Sequence, residues 1–175
     1  MTTKYVIIPN RQPPAITLPA MNIVDLLTAE RVVCIGSADN KGRLLELLGR
    51  LLAVGQTGLT ARQIADSLSK RERLSSTGLG RGIALPHGRL GQGSRVIGAF
   101  IRLKQGVDFD AFDRQPVDLV FGLLVPEQFT DEHLKILAYL AEMFSNHAFC
   151  QQLRQADTDQ ALLERLSQWQ PPVLT

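Results

Sequence analysis

Apolar residues recur along this chain in two periods, and the alternation between those periods predicts its elements. Val32-Val33-Cys34-Ile35 is a short β-branched run and reads as a buried strand. Behind it Leu44, Leu45, Leu47, Leu48, Leu51 and Leu52 form one helical stripe, with Ser37 and Asp39 as candidate N-caps. Gly55 and Gly58 end that helix and turn the chain. Thr60 and Gln63 have the spacing of a capping box, and the helix they open would bury Ile64 and Leu68, with Ala61 and Ala65 beside them. That helix ends in Lys70, Arg71, Glu72 and Arg73, where cations suit the negative end of the helix dipole.

The second half repeats the alternation. Val96 to Leu103 predicts a strand with Val96, Gly98, Phe100 and Arg102 on one face and Ile97, Ala99, Ile101 and Leu103 on the other. Lys104 to Gln115 reads as a long connection carrying Phe109 and Phe112. Val117 to Val125 is almost wholly apolar, which predicts a central strand covered on both faces. Thr130 is placed to cap a helix whose core stripe would be Leu134, Leu137, Ala138, Ala141 and Phe144. His147 to Gln155 and Asp157 to Trp169 predict two shorter helices, the last stopped by Pro171-Pro172. Near the start, Asn22 can cap a short helix through Leu27. Interleaved strands and helices predict an α/β domain over residues 21–170, with helices packed on a mixed sheet of about four to six strands. Residues 1–20, with Pro13, Pro14 and Pro19, read as an extended or flexible arm, and 171–175 as a tail.

Composition narrows the function classes. The chain has 175 residues and is 45% hydrophobic, enough for one core. With 19 basic against 17 acidic residues, no basic face for nucleic acid is expected. The run from Leu119 to Val125 stops at Pro126, too short for membrane insertion, and no export signal precedes it, so a cytoplasmic protein is expected. Cys34 and Cys150 read as buried free thiols, and neither has the spacing of a metal ligand.

One segment concentrates the chemistry: Ser76-Thr77-Gly78-Leu79-Gly80-Arg81-Gly82-Ile83-Ala84-Leu85-Pro86-His87-Gly88. Pro86 fixes its own φ and keeps Leu85 extended, while Gly88 frees the exit of the chain, so the backbone aims the His87 ring. An imidazole held this way can serve as nucleophile, base or ligand. The glycine spacing is not a nucleotide loop, because no Gly-Lys-Ser/Thr follows and the glycines lead into a strand. Small residues here could still bring backbone N–H groups close to an anion. Arg71 reads either as a solvated cation at a helix end or as a phosphate-facing guanidinium, and Arg73, Arg81 and Arg89 flank the same loop. His133, beside Asp131 and Glu132 in a first helical turn, reads on its own as a solvated residue, and His147 as a cap or surface residue.

The segment around His87 closely resembles the phosphorylation-site motif of enzyme IIA proteins of the bacterial phosphotransferase system, in the mannitol/fructose group, and is most similar to the nitrogen-related (PtsN-like) branch. Arg71-Glu72-Arg73-Leu74 resembles the Arg-Glu-x-Leu preceding the glycine loop there. Phe109-Asp110-Ala111 and the stretch Pro116 to Pro126 resemble that branch's central strand, and His133-Leu134 the helix carrying the family's second histidine. The resemblance covers about residues 21 to 168. It implies a mixed, roughly five-stranded sheet flanked by helices on both faces. It also implies that His87 accepts a phosphoryl group, on Nε2, from a small HPr-like phosphocarrier or its nitrogen-branch counterpart. By the same resemblance His133 would lie near His87, Arg71 would steady the phosphoryl group, and Ser76, Thr77, Gly78, Gly80, Gly82 and Gly88 would frame it. No metal or other cofactor is implied, because the donor is a phosphoprotein. Partners would be regulatory target proteins in a nitrogen- or potassium-related role. The alternatives are an enzyme IIB in fructose or mannitol uptake, with alanine often standing in sugar-transport members where this chain has Gly88, or a binding module that is never phosphorylated.

Overall fold

A computed structural model describes residues 22–91, 95–128 and 131–171. The arm assigned to residues 1–20, the cap assigned to Thr130 and the tail from 172 onward lie outside the described residues. Asn22 caps a short 3-10 helix, Ile23–Leu26, by accepting from the Val24 N–H at 3.3 Å. A second one, Ala29–Arg31, leads into β1, Val32–Ile35. Helix α1, Lys41–Ala53, is capped by Asn40, whose Oδ1 accepts from the Arg43 N–H. The caps expected at Ser37 and Asp39 are thereby corrected, since the chain enters helical geometry only after Asn40. Helix α2, Ala61–Leu74, carries the full capping box from Thr60 and Gln63.

Three short strands follow: β2, Gly78–Gly80; β3, Ile83–Ala84; and β4, His87–Arg89. Strand β5, Ile97–Val107, is longer than the expected Val96 to Leu103, and the long connection is shortened to match. Its polar extension, Lys104-Gln105, is exposed and still paired: the Gln105 N–H reaches the Gly36 carbonyl at 2.9 Å. Strand β6, Val117–Val125, is the expected central strand. Helices α3, Asp131–Ser145, α4, His147–Arg154, and α5, Asp159–Ser167, complete the chain.

The sheet order is β1-β5-β6-β3-β2, with β4 on the same flank of β6 as β3. β1 runs parallel to β5, β5 antiparallel to β6, and β3 and β4 parallel to β6, so the sheet is mixed. β3 and β4 are one lane interrupted at Leu85-Pro86, where proline has no N–H to give to the ladder. Counted as one lane, the sheet has the five strands expected.

Each face of the sheet is covered. On one side α1 and α2 bring Leu44, Leu48, Leu52, Ile64 and Leu68 against Ala84, Ile101, Val120 and Leu124. On the other, Phe100, Phe121 and Phe144 meet with ring centroids 6.0 to 6.3 Å apart, backed by Leu140, Leu153 and Leu162. Helix α3 presents a different stripe from the one expected. His133, Tyr139, Leu140, Met143 and Phe144 are its buried residues, while Leu134, Ala138 and Ala141 are exposed. The sheet selects the face rotated by one residue, which puts a histidine where the pattern suggested a leucine.

Candidate functional site

The last turns of α2 and the strand β4 lie against each other, and this contact makes the site. A Cβ at Gly88 would stand 2.6 Å from Ser67 Oγ and 3.2 Å from the Leu68 backbone nitrogen. Only glycine lets β4 approach α2 so closely. Side chains alternate along a strand, so with Gly88 toward α2, His87 points to the face that α3 covers. Its sheet partner Leu123 belongs to that same core. Arg71, one turn beyond Ser67 on α2, reaches the ring with its Nε.

The His87 imidazole is half-buried and both ring nitrogens are engaged. Nδ1 lies 2.9 Å from the Leu85 carbonyl oxygen, which can only accept, so Nδ1 carries the proton. Nε2 then holds a lone pair and accepts from Arg71 Nε at 3.2 Å. Burial pushes the His87 pKa below its ordinary value, and the charges of Arg71 and Arg89 push the same way. The Leu85 carbonyl and the Glu72 carboxylate oppose the shift without reversing it. The ring is therefore a neutral imidazole with a defined tautomer and a nucleophilic nitrogen beside a guanidinium. Arg71 is itself oriented by donating from Nη1 to the Ser75 carbonyl at 2.8 Å. That makes it a half-buried partner of His87 rather than a solvated helix-end cation.

His133 is 6% exposed, on the first turn of α3, which corrects its reading as a solvated residue. His147 is exposed beside Arg81, and the cap expected of it is supplied by Asn146. Among the described residues, a cavity of about 690 Å³ lies away from the ring, and one of about 510 Å³ is lined in part by Lys41, Glu72, Ser75 and Ser76; neither includes His87.

The glycine segment is a strand and a tight turn rather than an open loop. The Thr77 N–H donates to Glu72, and the Gly78 N–H to Ser76 Oγ at 3.2 Å, while Ser76 Oγ itself donates to the Phe109 carbonyl at 3.1 Å. The expectation that this segment lies open to an anion is corrected to that extent: Thr77 and Gly78 already have acceptors. The glycines shape the hairpin instead. Gly82 has φ +81°, and a Cβ there would sit 2.7 Å from Asp118 Oδ1. Asp118 in turn pairs with Arg154 Nε at 2.8 Å, and Arg154 Nη2 donates to the Arg81 carbonyl at 2.8 Å, tying the hairpin turn to α4. Gly88 gives α2 its contact with β4, as above.

One cluster escaped the reading of the sequence. Glu72, in a run of charges that looks solvated, is 6% exposed. It pairs with Lys41 at 2.8 Å and accepts from Thr77 Oγ1 at 2.5 Å. Its partner stands at the start of α1, so no local spacing could have announced the pair.

Residues 25–169 match the family described as phosphoenolpyruvate-dependent sugar phosphotransferase system, EIIA 2. The nitrogen regulatory protein of Klebsiella oxytoca is 37% identical over 150 residues, covering 85% of this chain and 92% of that protein. The nitrogen regulatory protein of Pseudomonas aeruginosa is 40% identical over 144 residues, covering 82% and 94%. Among solved structures, nitrogen regulatory protein IIA-Ntr from Neisseria meningitidis superposes with a TM-score of 0.75 at 39% identity, covering 82% of this chain and 98% of that one.

Proposed function

The chain belongs to the EIIA 2 family of the phosphoenolpyruvate-dependent sugar phosphotransferase system, and from that premise we propose that it is a regulatory phosphocarrier with His87 as phosphoryl acceptor. The observation that carries the assignment is the ring itself: Nδ1–H held by the Leu85 carbonyl, and Nε2 unprotonated beside Arg71. The acceptor nitrogen is then Nε2. The donor is a phosphohistidine on a small HPr-like carrier. Its N–P bond breaks as the Nε2–P bond forms, and the phosphoryl group passes through a loose, charge-spread transition state.

The residues divide the work. The Leu85 carbonyl stabilises the positive charge that the ring gains as Nε2 donates its lone pair. The Arg71 guanidinium leaves the nitrogen and turns to the equatorial oxygens, where a fixed cation stabilises developing charge best. His133 is the second donor to those oxygens, a role supported by its burial on the first turn of α3, the helix whose Tyr139, Leu140, Met143 and Phe144 pack in the same core as Leu123, the sheet partner of His87. Ser76, Thr77, Gly78, Gly80, Gly82 and Gly88 set the frame that holds the ring. No cavity is needed at His87 for a donor carried by a protein surface.

The regulatory rather than sugar-transport role is supported by relatives named nitrogen regulatory protein, of which the chain covers nearly the full length. The phosphorylation state of His87 would select the target protein. The test incubates the chain with phosphoenolpyruvate, enzyme I and an HPr-like carrier or its nitrogen-branch counterpart. Label on His87 and none on His87→Ala is expected. Label retained by His87→Ala would sink the assignment, and rapid onward transfer to an enzyme IIB for fructose or mannitol would move the protein to sugar uptake.

A further inference from the structure

The Glu72 carboxylate, in the residue next to Arg71, is almost wholly buried and has three donors. Oε1 accepts from Lys41 Nζ at 2.8 Å and from the Thr77 N–H at 3.1 Å. Oε2 accepts from Thr77 Oγ1 at 2.5 Å and shares the Thr77 N–H at 3.1 Å. Its side chain is 4% exposed. Lys41 is fixed in turn by the Phe109 carbonyl at 3.0 Å and lies 4.7 Å from the centre of the Phe109 ring. One carboxylate thus joins the start of α1, the end of α2, the start of β2 and the segment around Phe109.

Two routes lead from this clamp to the imidazole, one to each ring nitrogen. Thr77, held by Glu72, accepts the Leu85 N–H on its carbonyl at 3.0 Å, and the Leu85 carbonyl holds His87 Nδ1–H. On the other route, the turn from Ser75 to Thr77 is pinned at its Thr77 end, which sets the Ser75 carbonyl. That carbonyl holds Arg71 Nη1, and Arg71 Nε faces His87 Nε2. We infer that Glu72, acting through Thr77, is the positioning residue that fixes both the tautomer of His87 and the placement of Arg71. Lys41, 2.8 Å away, supplies the counter-charge to this buried carboxylate.

A clamp of this kind differs from a merely stabilising ion pair in what it controls. A stabilising pair changes the melting temperature. A positioning pair changes which ring nitrogen carries the proton, and with it the fraction of molecules ready to accept phosphate. The inference rests on His87 being the phosphoryl acceptor, but its first readout does not need phosphate at all.

The test uses the full chain with Glu72→Gln and Thr77→Val. Glu72→Gln keeps size and replaces one accepting oxygen with an NH₂, which then faces Lys41 Nζ or the Thr77 N–H as donor against donor. Thr77→Val keeps the shape and deletes only the hydroxyl, so it remains informative if the first variant does not fold. Imidazole ¹⁵N shifts of His87 are expected to show Nδ1–H in the wild type and a population of Nε2–H in both variants. The rate of phosphorylation by the carrier is expected to fall about tenfold, with KM for the carrier within about twofold, because misplaced reacting groups cost rate rather than encounter. Arg43→Gln, which breaks the exposed Arg43–Glu46 pair, is the control that moves neither readout. Folded variants with the wild-type tautomer and the wild-type rate would overturn the inference. A wild type that takes no label on His87 would instead refute the phosphocarrier reading, leaving the ¹⁵N shifts to decide the role of Glu72.

Discussion

Replacing Gly88 by alanine tests whether the contact between β4 and α2 is what aims His87. The added Cβ would meet Ser67 Oγ at 2.6 Å, Ser67 Cβ at 3.1 Å and the Leu68 backbone nitrogen at 3.2 Å. The first of these could move, but Ser67 Oγ donates to the Arg89 carbonyl at 3.0 Å, so rotating it breaks a bond that ties the helix to the strand. The other two atoms belong to the body of α2 and cannot swing away. Relief therefore requires β4 to shift outward by some tenths of an ångström. Overpacking of this kind costs about 1–3 kcal/mol. Loss of glycine's unfolded-state freedom returns about 0.4–1 kcal/mol. A net destabilisation of about 1–2 kcal/mol corresponds to a Tm lowered by about 2–8 °C for a domain of this size. Denaturant unfolding of the single variants and of Gly88→Ala with Ser67→Ala gives the coupling directly. An interaction of more than about 0.5 kcal/mol is expected, because both substitutions act on one contact. The shift also lengthens the 3.2 Å bond from Arg71 to His87, so phosphorylation should slow in the single variant and recover in part in the double. A Gly88→Ala protein as stable and as readily phosphorylated as the wild type would refute the argument.

The depressed His87 pKa makes stability depend on pH with a defined sign. The folded state resists protonating a ring that the unfolded chain protonates at its ordinary value of 6.5, so the unfolded state binds more protons as pH falls. The stability that the neutral ring contributes is whole above that value and is lost as pH falls through the folded pKa; unfolding free energies between pH 8 and 5 should therefore fall less steeply for His87→Gln than for the wild type. Phe144→Ala, which removes the ring stacked on Phe100 and set edge-on to Phe121, is expected to cost about 3–5 kcal/mol in denaturant unfolding. A loss under about 1 kcal/mol there would mean that the three rings are not a cooperative core.

Much of the fold was legible because local chemistry and burial agreed. Thr60 and Gln63 close a capping box wherever a helix starts, and Val117–Val125 is apolar because it is covered on both faces. Helix α3 was misread in phase because apolar residues stand on two of its faces. Leu134 continues the pattern, but the sheet takes Tyr139, Leu140 and Met143 and leaves Leu134 54% exposed. Strand β5 ran past Leu103 because pairing with Gly36 does not require apolar side chains.

For the site, the sequence by itself singled out the proposed acceptor, His87, and the backbone that frames it. Pro86 constrains the backbone before His87 and Gly88 frees it after, whatever surrounds them, and the stretch Arg71-Glu72-Arg73-Leu74 places Arg71 at the end of the preceding helix. Only the tertiary structure decided which nitrogen carries the proton, because that depends on the Leu85 carbonyl meeting Nδ1 and Arg71 meeting Nε2 of one ring. It also decided that His133 is buried and that Glu72 is not a surface charge. The physical reason is the same in each case. Backbone preference is local and is written in neighbouring residues, whereas tautomer, burial and ion pairing are set by groups that meet across 16, 5 or 31 positions of chain, at Arg71–His87, Glu72–Thr77 and Lys41–Glu72.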